Sequence, residues 1–343
     1  MGKTKVTKNE IDIYIKRNIR KHPRDIVRLT QEHFVITKPT VMKFINQLIE
    51  EKQISVTGKT KDREYIPLPI NSKPRVYEIG SSSDEGKMWK DFSDLFTGIP
   101  DNIYKICQYG FTEIANNALE HSEGQYISIQ VDRFFDQIEI FISDDGIGIF
   151  KKISQRYNLD DPMQSILELA KGKLTTDPKH HTGEGIFFTS RAFDSFFIRS
   201  HNIVFLHSDS GFDYQDQVDN IVNGTTVNME ISLGSKKSIQ KIFDEFANQE
   251  NGYGFDKTIV PVHLALLGND QLISRSQARR VLSRFDRFKR VWLDFKGVQF
   301  IGQSFADEIF RVYPSEHPEV SILYIDANKQ VEKMILRAKG INK

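Results

Sequence analysis

Four short motifs stand in a fixed order between residues 113 and 226, and together they limit the folds open to this chain. The first, FTEIANNALEHS, is helix-like and carries Glu113 and Asn117 one helical turn apart. The second, IEIFISDDGIGIF, alternates as a strand does and then runs into glycines, with Asp144, Gly146 and Gly148 at the turn. The third, HTGEGIFFTSRAF, sets Gly183 and Gly185 before another helix-like run, and the fourth, NGTTVNMEI, puts Gly224 and Thr225 at a strand start. Such a chain alternates helices with strands, and its glycine turns let the backbone approach a ligand closely.

The residue types suit one kind of chemistry. On an α-helix, Glu113, Asn117 and His121 line a single face. Magnesium is a hard cation that keeps phosphate oxygens and waters around it, and the Asn117 amide oxygen can complete that shell without neutralising it. Glu113, a turn earlier, can take a proton from an attacking water or hydroxyl. Taken alone, the same pattern equally describes the polar face of a surface helix. At the second motif, a buried carboxylate needs a donor to offset its desolvation. An acidic calcium-type loop competes there, but regular oxygen ligands do not continue past Gly148. Backbone amides at the start of the helix after Gly185 would form a phosphate cradle.

In this order the motifs resemble the nucleotide site of the gyrase, heat-shock chaperone, histidine kinase and MutL (GHKL) superfamily, over roughly residues 87–235. The resemblance implies an α/β sandwich, the Bergerat fold, that binds ATP and Mg2+. Glu113–Ala118 matches the family's ExxxNA box, which implies that Glu113 is catalytic and that Asn117 holds the metal. The DxGxG box places the adenine contact on Asp144 rather than Asp145, with Gly146 and Gly148 completing it. Gly183 and Gly185 match the second glycine box, though Glu184 interrupts what is often a longer glycine run, and Thr225 would stand near the base. Residues 150–182 read as a mobile lid, where Lys171 and Lys173 either approach phosphates or belong to a solvated loop. His180 and His181 have no partner ligands at metal-binding spacing. Glu113, and the lack of a long heptad helix with an acceptor histidine, point away from a histidine kinase.

The formal net charge of +1 hides an asymmetry. Residues 1–75 hold 17 Lys and Arg against 8 Asp and Glu, so the remainder is acidic. A basic module of this kind suits a polyanion, although basic faces are often merely solvated. Within residues 1–70, three helical patterns and a hairpin, ISVTGK and REYIPL, resemble a winged helix-turn-helix. Thr37 is the expected cap of the third helix, with Pro39 in its first turn. The resemblance implies that Lys38, Thr40 and Lys43 meet the major groove of double-stranded DNA while Lys59, Lys61 and Arg63 track phosphates. A winged helix used for protein contacts or dimerisation is the alternative.

Residues 71–86, with Pro, Gly and three consecutive Ser, read as a linker. The last segment, 255–343, has a βαβαβ pattern, and WLDFKGVQFIGQSFADEIF resembles a STAS-like domain. Where that family carries its phospho-accepting serine this chain has Gln303; the adjacent Ser304 is either a substitute acceptor or a helix cap.

The expected whole is therefore multi-domain α+β: winged helix, GHKL domain, STAS-like domain. Its expected function is that of a cytoplasmic regulator in which Mg-ATP controls DNA or partner binding. A serine/threonine kinase of the anti-sigma-factor type, acting on a STAS domain, is the rival. Expected partners are ATP, double-stranded DNA, a STAS-domain or other protein, and a second copy of the chain. No apolar run approaches the ~18 residues of a membrane span, and the single Cys107 reads as a buried core thiol.

Overall fold

The computed structural model describes residues 7–80, 83–174, 183–209, 213–247, 254–267 and 271–341. The chain begins with α1 (Lys8–Asn18), α2 (Ile26–Phe34) and α3 (Lys38–Glu50). Thr7 and Glu10 close a reciprocal cap on α1, satisfying amides that the first turn leaves without helical partners. An antiparallel hairpin of β1 (Ile54–Thr57) and β2 (Glu64–Pro67) follows. Ile11, Ile15 and Ile19 recur at one-turn spacing and meet Ile26, Val41, Ile45, Leu48, Ile54 and Tyr65 in a small core of their own. Thr37 does precede α3 with extended backbone, but its hydroxyl meets that of Thr40 at 3.0 Å and caps no amide.

The segment expected to be a linker is largely structure. Residues Asn71–Glu78 form β3, which pairs antiparallel along its whole length with β4 (Tyr126–Arg133). Pro74 is tolerated because β3 is an edge strand. The strand is tied down from its inner face: Lys73 Nζ reaches Asp94 at 2.5 Å, and the Tyr77 hydroxyl donates to Asp91 at 2.9 Å. Asp91 ends α4 (Glu85–Asp91), whose first turn is capped by Asp84.

A long helix, α5 (Asp101–His121), then crosses the sheet and buries Ile103, Ile106, Cys107, Phe111, Ile114 and Ala118. After β4, β5 (Gln137–Asp144) keeps Ile138, Ile140, Ile142 and Asp144 on the buried face and half-buries the residues between. Next come α6 (Ile149–Tyr157), α7 (Gln164–Lys171) and α8 (Gly185–Ala192). Of the expected lid over 150–182, the described residues 150–174 are largely the two packed helices α6 and α7, whereas 175–182, with His180 and His181, lie outside the described residues. The hairpin of β6 (Ser195–Ser208) and β7 (Tyr214–Ser232) completes an antiparallel sheet of order β3-β4-β5-β7-β6. Both α5 and α8 pack on it.

After α9 (Ile239–Phe246), the C-terminal unit is a parallel sheet of order β10-β9-β8. Its strands are β8 (Lys257–Pro261), β9 (Arg290–Asp294) and β10 (Ser321–Ile325). They are joined by α10 (Arg275–Leu282) and by a continuous run of α11 (Gln303–Asp307), a π-turn (Glu308–Val312) and α12 (Tyr313–Glu316), and followed by α13 (Lys329–Ala338). One apolar core runs unbroken from Met88 to Ala338 through the central and C-terminal units. The N-terminal unit touches the rest at the β4–β5 turn, where Arg20 Nε meets Asp136 at 2.8 Å and its guanidinium lies 4.3 Å from the Phe134 ring. Among the described residues, no helix is long and apolar enough to cross a membrane.

Candidate functional site

The face of α5 that carries Glu113 does not touch solvent alone. It forms one wall of a cavity of about 640 Å3, bounded also by the end of β5, by α6, α8 and α9, and by the middle of β7, where Gly224 and Thr225 stand rather than at a strand start as expected. That is the size of a cofactor pocket.

At one end stands Asp144, the last residue of β5. Its Oδ1 accepts the amides of Gly146 at 3.0 Å and Thr225 at 3.2 Å. Burial pushes its carboxyl above the ordinary range, and those amides offset only part of the shift. Thr225 Oγ1 in turn accepts the amide of Ile149 at 2.9 Å, which ties β7 to the first turn of α6. Gly148 precedes that helix at φ +85°, where a side chain would be strained and would overlap Ser200 and His201. Asp145 points elsewhere: exposed, it accepts the amides of Gln125 and Tyr126 at 2.7 and 2.9 Å.

Along α5, Glu113, Asn117 and His121 line the same cavity, with His121 next to Ser122 on the Asp144 side. Gly185 opens α8 directly against this face, so that a Cβ there would collide with the Glu113 carboxylate. The first-turn amides of α8 thus start beside the Glu113 carboxylate. Gly183 lines the cavity as well, and its carbonyl accepts the amide of Leu174 at 3.0 Å. Tyr109, one turn before Glu113, is also in the wall, and burial followed by the charges of Glu113 and Glu184 raises its hydroxyl pKa.

Seven of the eight central residues singled out in the sequence therefore line one cavity: Glu113, Asn117, Asp144, Gly148, Gly183, Gly185 and Thr225. The eighth, Gly146, stands behind it and supplies the amide to Asp144. Sequence reasoning missed α9, whose Gln240, Phe243 and Asp244 form part of the wall, together with Phe255 and Lys152. The apolar spacing of Ile239, Ile242, Phe243 and Phe246 signals a packed helix but not what it packs on. Lys152 Nζ donates to the His121 carbonyl at 2.7 Å and to Glu123 at 2.9 Å, holding the end of α5 against α6.

Two expectations are corrected. Lys171 and Lys173 neither line the cavity nor sit in a solvated loop: the Lys171 ammonium is fully buried, and Lys173 Nζ donates to the Arg287 carbonyl at 2.8 Å. Ser304 caps nothing, because Gly302 occupies the cap position of α11; the serine is exposed and does not line the cavity.

The residues expected to meet DNA all lie in the N-terminal unit, and none of those described lines this cavity. Lys38 and Lys43 are exposed on α3, while Thr40 is half-buried and engaged by Thr37. Lys59 and Arg63 are exposed at either side of the β1–β2 turn, and the side chain of Lys61 lies outside the described residues. Among the described residues, no group of three or more His, Cys, Asp or Glu could hold a metal ion by itself.

A model of the family described as a STAS-like domain of unknown function (DUF4325) matches residues 277–332, from within α10 to the first turn of α13. The C-terminal unit is a STAS-like domain. Its match includes β9 and β10, and β8 lies before the matched residues as the third strand of the same sheet. No curated protein matches the chain. The protein is thus a multi-domain α/β chain in which a STAS-like domain shares its apolar core with the unit that holds the cavity.

Proposed function

We propose that the chain is an ATP-binding regulator whose central unit is a GHKL domain and whose N-terminal unit is a winged helix that binds double-stranded DNA. The observation that carries this reading is convergence. Four motifs spread over more than a hundred residues, between 113 and 226, meet on one cavity whose wall holds a buried carboxylate, Asp144, together with Glu113, Asn117 and the start of α8.

Each part suits a part of the nucleotide. Asp144 keeps one carboxylate oxygen for a base amino group while Gly146 and Thr225 hold the other. The amides opening α8 suit phosphate oxygens. Asn117 is the side-chain oxygen that would hold Mg2+, whose charge would screen the phosphates when bound. Glu113 accepts a proton from the attacking water.

Ser304 stands outside the cavity wall, which counts against the rival reading of a kinase acting on its own serine. Incubation with labelled ATP separates the two: free phosphate supports a switch driven by binding or hydrolysis, and stable phosphoprotein supports the kinase.

Regulation requires that nucleotide and DNA report on each other. Saturating Mg-ATP is expected to change the dissociation constant for double-stranded DNA by about fivefold or more, with the reciprocal change in nucleotide affinity that linkage demands. Anisotropy titrations of labelled DNA with and without Mg-ATP measure this. Identical constants would end the regulatory reading while leaving the cavity assignment intact.

A further inference from the structure

The backbone that leads from α7 to the rim of the cavity is held almost entirely by the STAS-like unit. Arg284, just past α10, places its Nε 2.6 Å from Glu168 Oε2. Its Nη2 donates to the Glu168 carbonyl at 2.6 Å, and its Nη1 donates to the carbonyls of Gly172 at 3.2 Å and Lys173 at 3.0 Å. Arg287 Nη1 adds a second donor to the Lys173 carbonyl at 2.9 Å. Thr258 of β8 donates to the Lys171 carbonyl at 2.7 Å. The Lys171 ammonium meets Glu168 Oε1 at 2.6 Å and donates to the carbonyls of Arg280 at 2.9 Å and Ser283 at 3.1 Å.

Three charges are sunk in this contact: the side chains of Lys171, Glu168 and Arg284 are 0, 5 and 7% exposed. Burial pushes the Lys171 ammonium down to about 8, and Glu168 offsets this only in part because Arg284 stands beside it. Glu168 itself would be raised by burial, but Lys171 and Arg284 together hold it below its ordinary value. Apolar side chains of similar volume commonly stabilise such a contact as well or better. What the charges add is geometry, since a planar guanidinium fixes several acceptors in one plane.

The held segment ends in the cavity. Gly172 turns at φ +80°, and a Cβ there would press at 2.8 Å against the rings of both Phe187, in α8, and Phe255. Two residues later Leu174 lines the cavity and donates its amide to Gly183, and Gly185 meets Glu113.

We propose that Arg284 of the STAS-like unit is a positioning residue for the central cavity: by fixing the carbonyls of Gly172 and Lys173 it sets Leu174, Gly183 and the first turn of α8, and with them the affinity for a phosphate-bearing ligand. The identity of that ligand as ATP rests on the function proposed above; the positioning does not. A macromolecule that engages the STAS-like unit at the loop after α10 therefore has a direct mechanical route to the nucleotide.

The test uses the full chain as wild type, Arg284→Ala, Arg284→Lys and, as a control, Arg279→Ala. Arg279 pairs with Glu308 at 2.8 Å within the STAS-like unit and makes no contact with residues 168–174 among the bonds described. Two quantities are measured: amide exchange across 168–174 and 183–188 without nucleotide, and the dissociation constant for Mg-ATP. Both Arg284 variants are expected to exchange faster at Gly172, Leu174 and the start of α8, and to bind Mg-ATP about tenfold more weakly. Lysine should not rescue, because an ammonium can pair with Glu168 but cannot span the three carbonyls. The control should match wild type in both.

Wild-type exchange in Arg284→Lys, or rescue of Arg284→Ala behaviour by lysine, would overturn the proposal; Arg284→Lys alone decides if the alanine variant does not melt cooperatively. Should the wild type fail to bind Mg-ATP, the nucleotide reading falls, and the exchange data still decide whether Arg284 positions the rim.

Discussion

Asp144→Asn is expected to weaken Mg-ATP binding by roughly 30- to 150-fold, the equivalent of about 2–3 kcal/mol for a donor left facing a donor in a buried site. The reason lies in how the two carboxylate oxygens are used. Oδ1 already accepts from the amides of Gly146 and Thr225. An asparagine can satisfy those amides only by turning its own NH2 toward the cavity, where the base would present another donor. Turned the other way, the NH2 meets the two backbone amides. Neither orientation works. Because burial already raises the Asp144 carboxyl, removing its charge should relieve the empty protein, and Asp144→Asn should melt at or above the wild-type temperature. Loss of binding with a stable fold is thus the expected signature. Binding at wild-type affinity would displace the base from this end of the cavity and with it the whole assignment.

Glu113→Gln should do the opposite: keep Mg-ATP binding within about threefold and lower turnover by roughly 10²–10⁴-fold, the range over which a positioned general base acts. Glutamine keeps the shape that sits against Gly185, so the approach of α8 to α5 is preserved and only proton acceptance is lost. Single-turnover hydrolysis beside equilibrium binding measures both quantities on one preparation. Turnover that survives in Glu113→Gln would mean that the base is another group, and binding lost in parallel would mean that Glu113 shapes the pocket rather than the chemistry.

Much of the site was legible because its chemistry sits in short local patterns. The i, i+4 spacing of Glu113 and Asn117, and the alternation that ends at Asp144, are properties of single elements, so a reader of the sequence can find them. What was not legible depends on partners far along the chain. Lys171 reads as a solvent-seeking residue in a polar stretch, and only carbonyls 109 and 112 residues away explain its burial. The misread linker has a different cause. Pro, Gly and Ser mark irregular chain in general, but an edge strand has one unpaired side and accepts Pro74, so β3 carries the composition of a connector. The 3.6-residue pattern of α9 was visible, yet its role as cavity wall depends on Tyr109 and Phe188 packing on Phe243. The STAS-like unit was the part read most fully, since its strands are short apolar runs separated by helix signals, and the family match falls on the same stretch.

The way apolar cores are divided along this chain bears on its ancestry. Residues up to Tyr65 bury their own isoleucines, and they join the rest at the β4–β5 hairpin through ion pairs of Arg20 with Asp136 and Glu139, ring contacts of Arg20 and Lys16, and Phe135 packed on their core. A gene could exchange that segment for another head and lose little. The boundary near residue 255 is different, because Phe187, Phe188, Phe246, Phe255 and Phe288 interlock across it. Recombination there would strand aromatic surface on both sides. The two later units are therefore expected to descend as one inherited block, with the head as the part that lineages are free to trade.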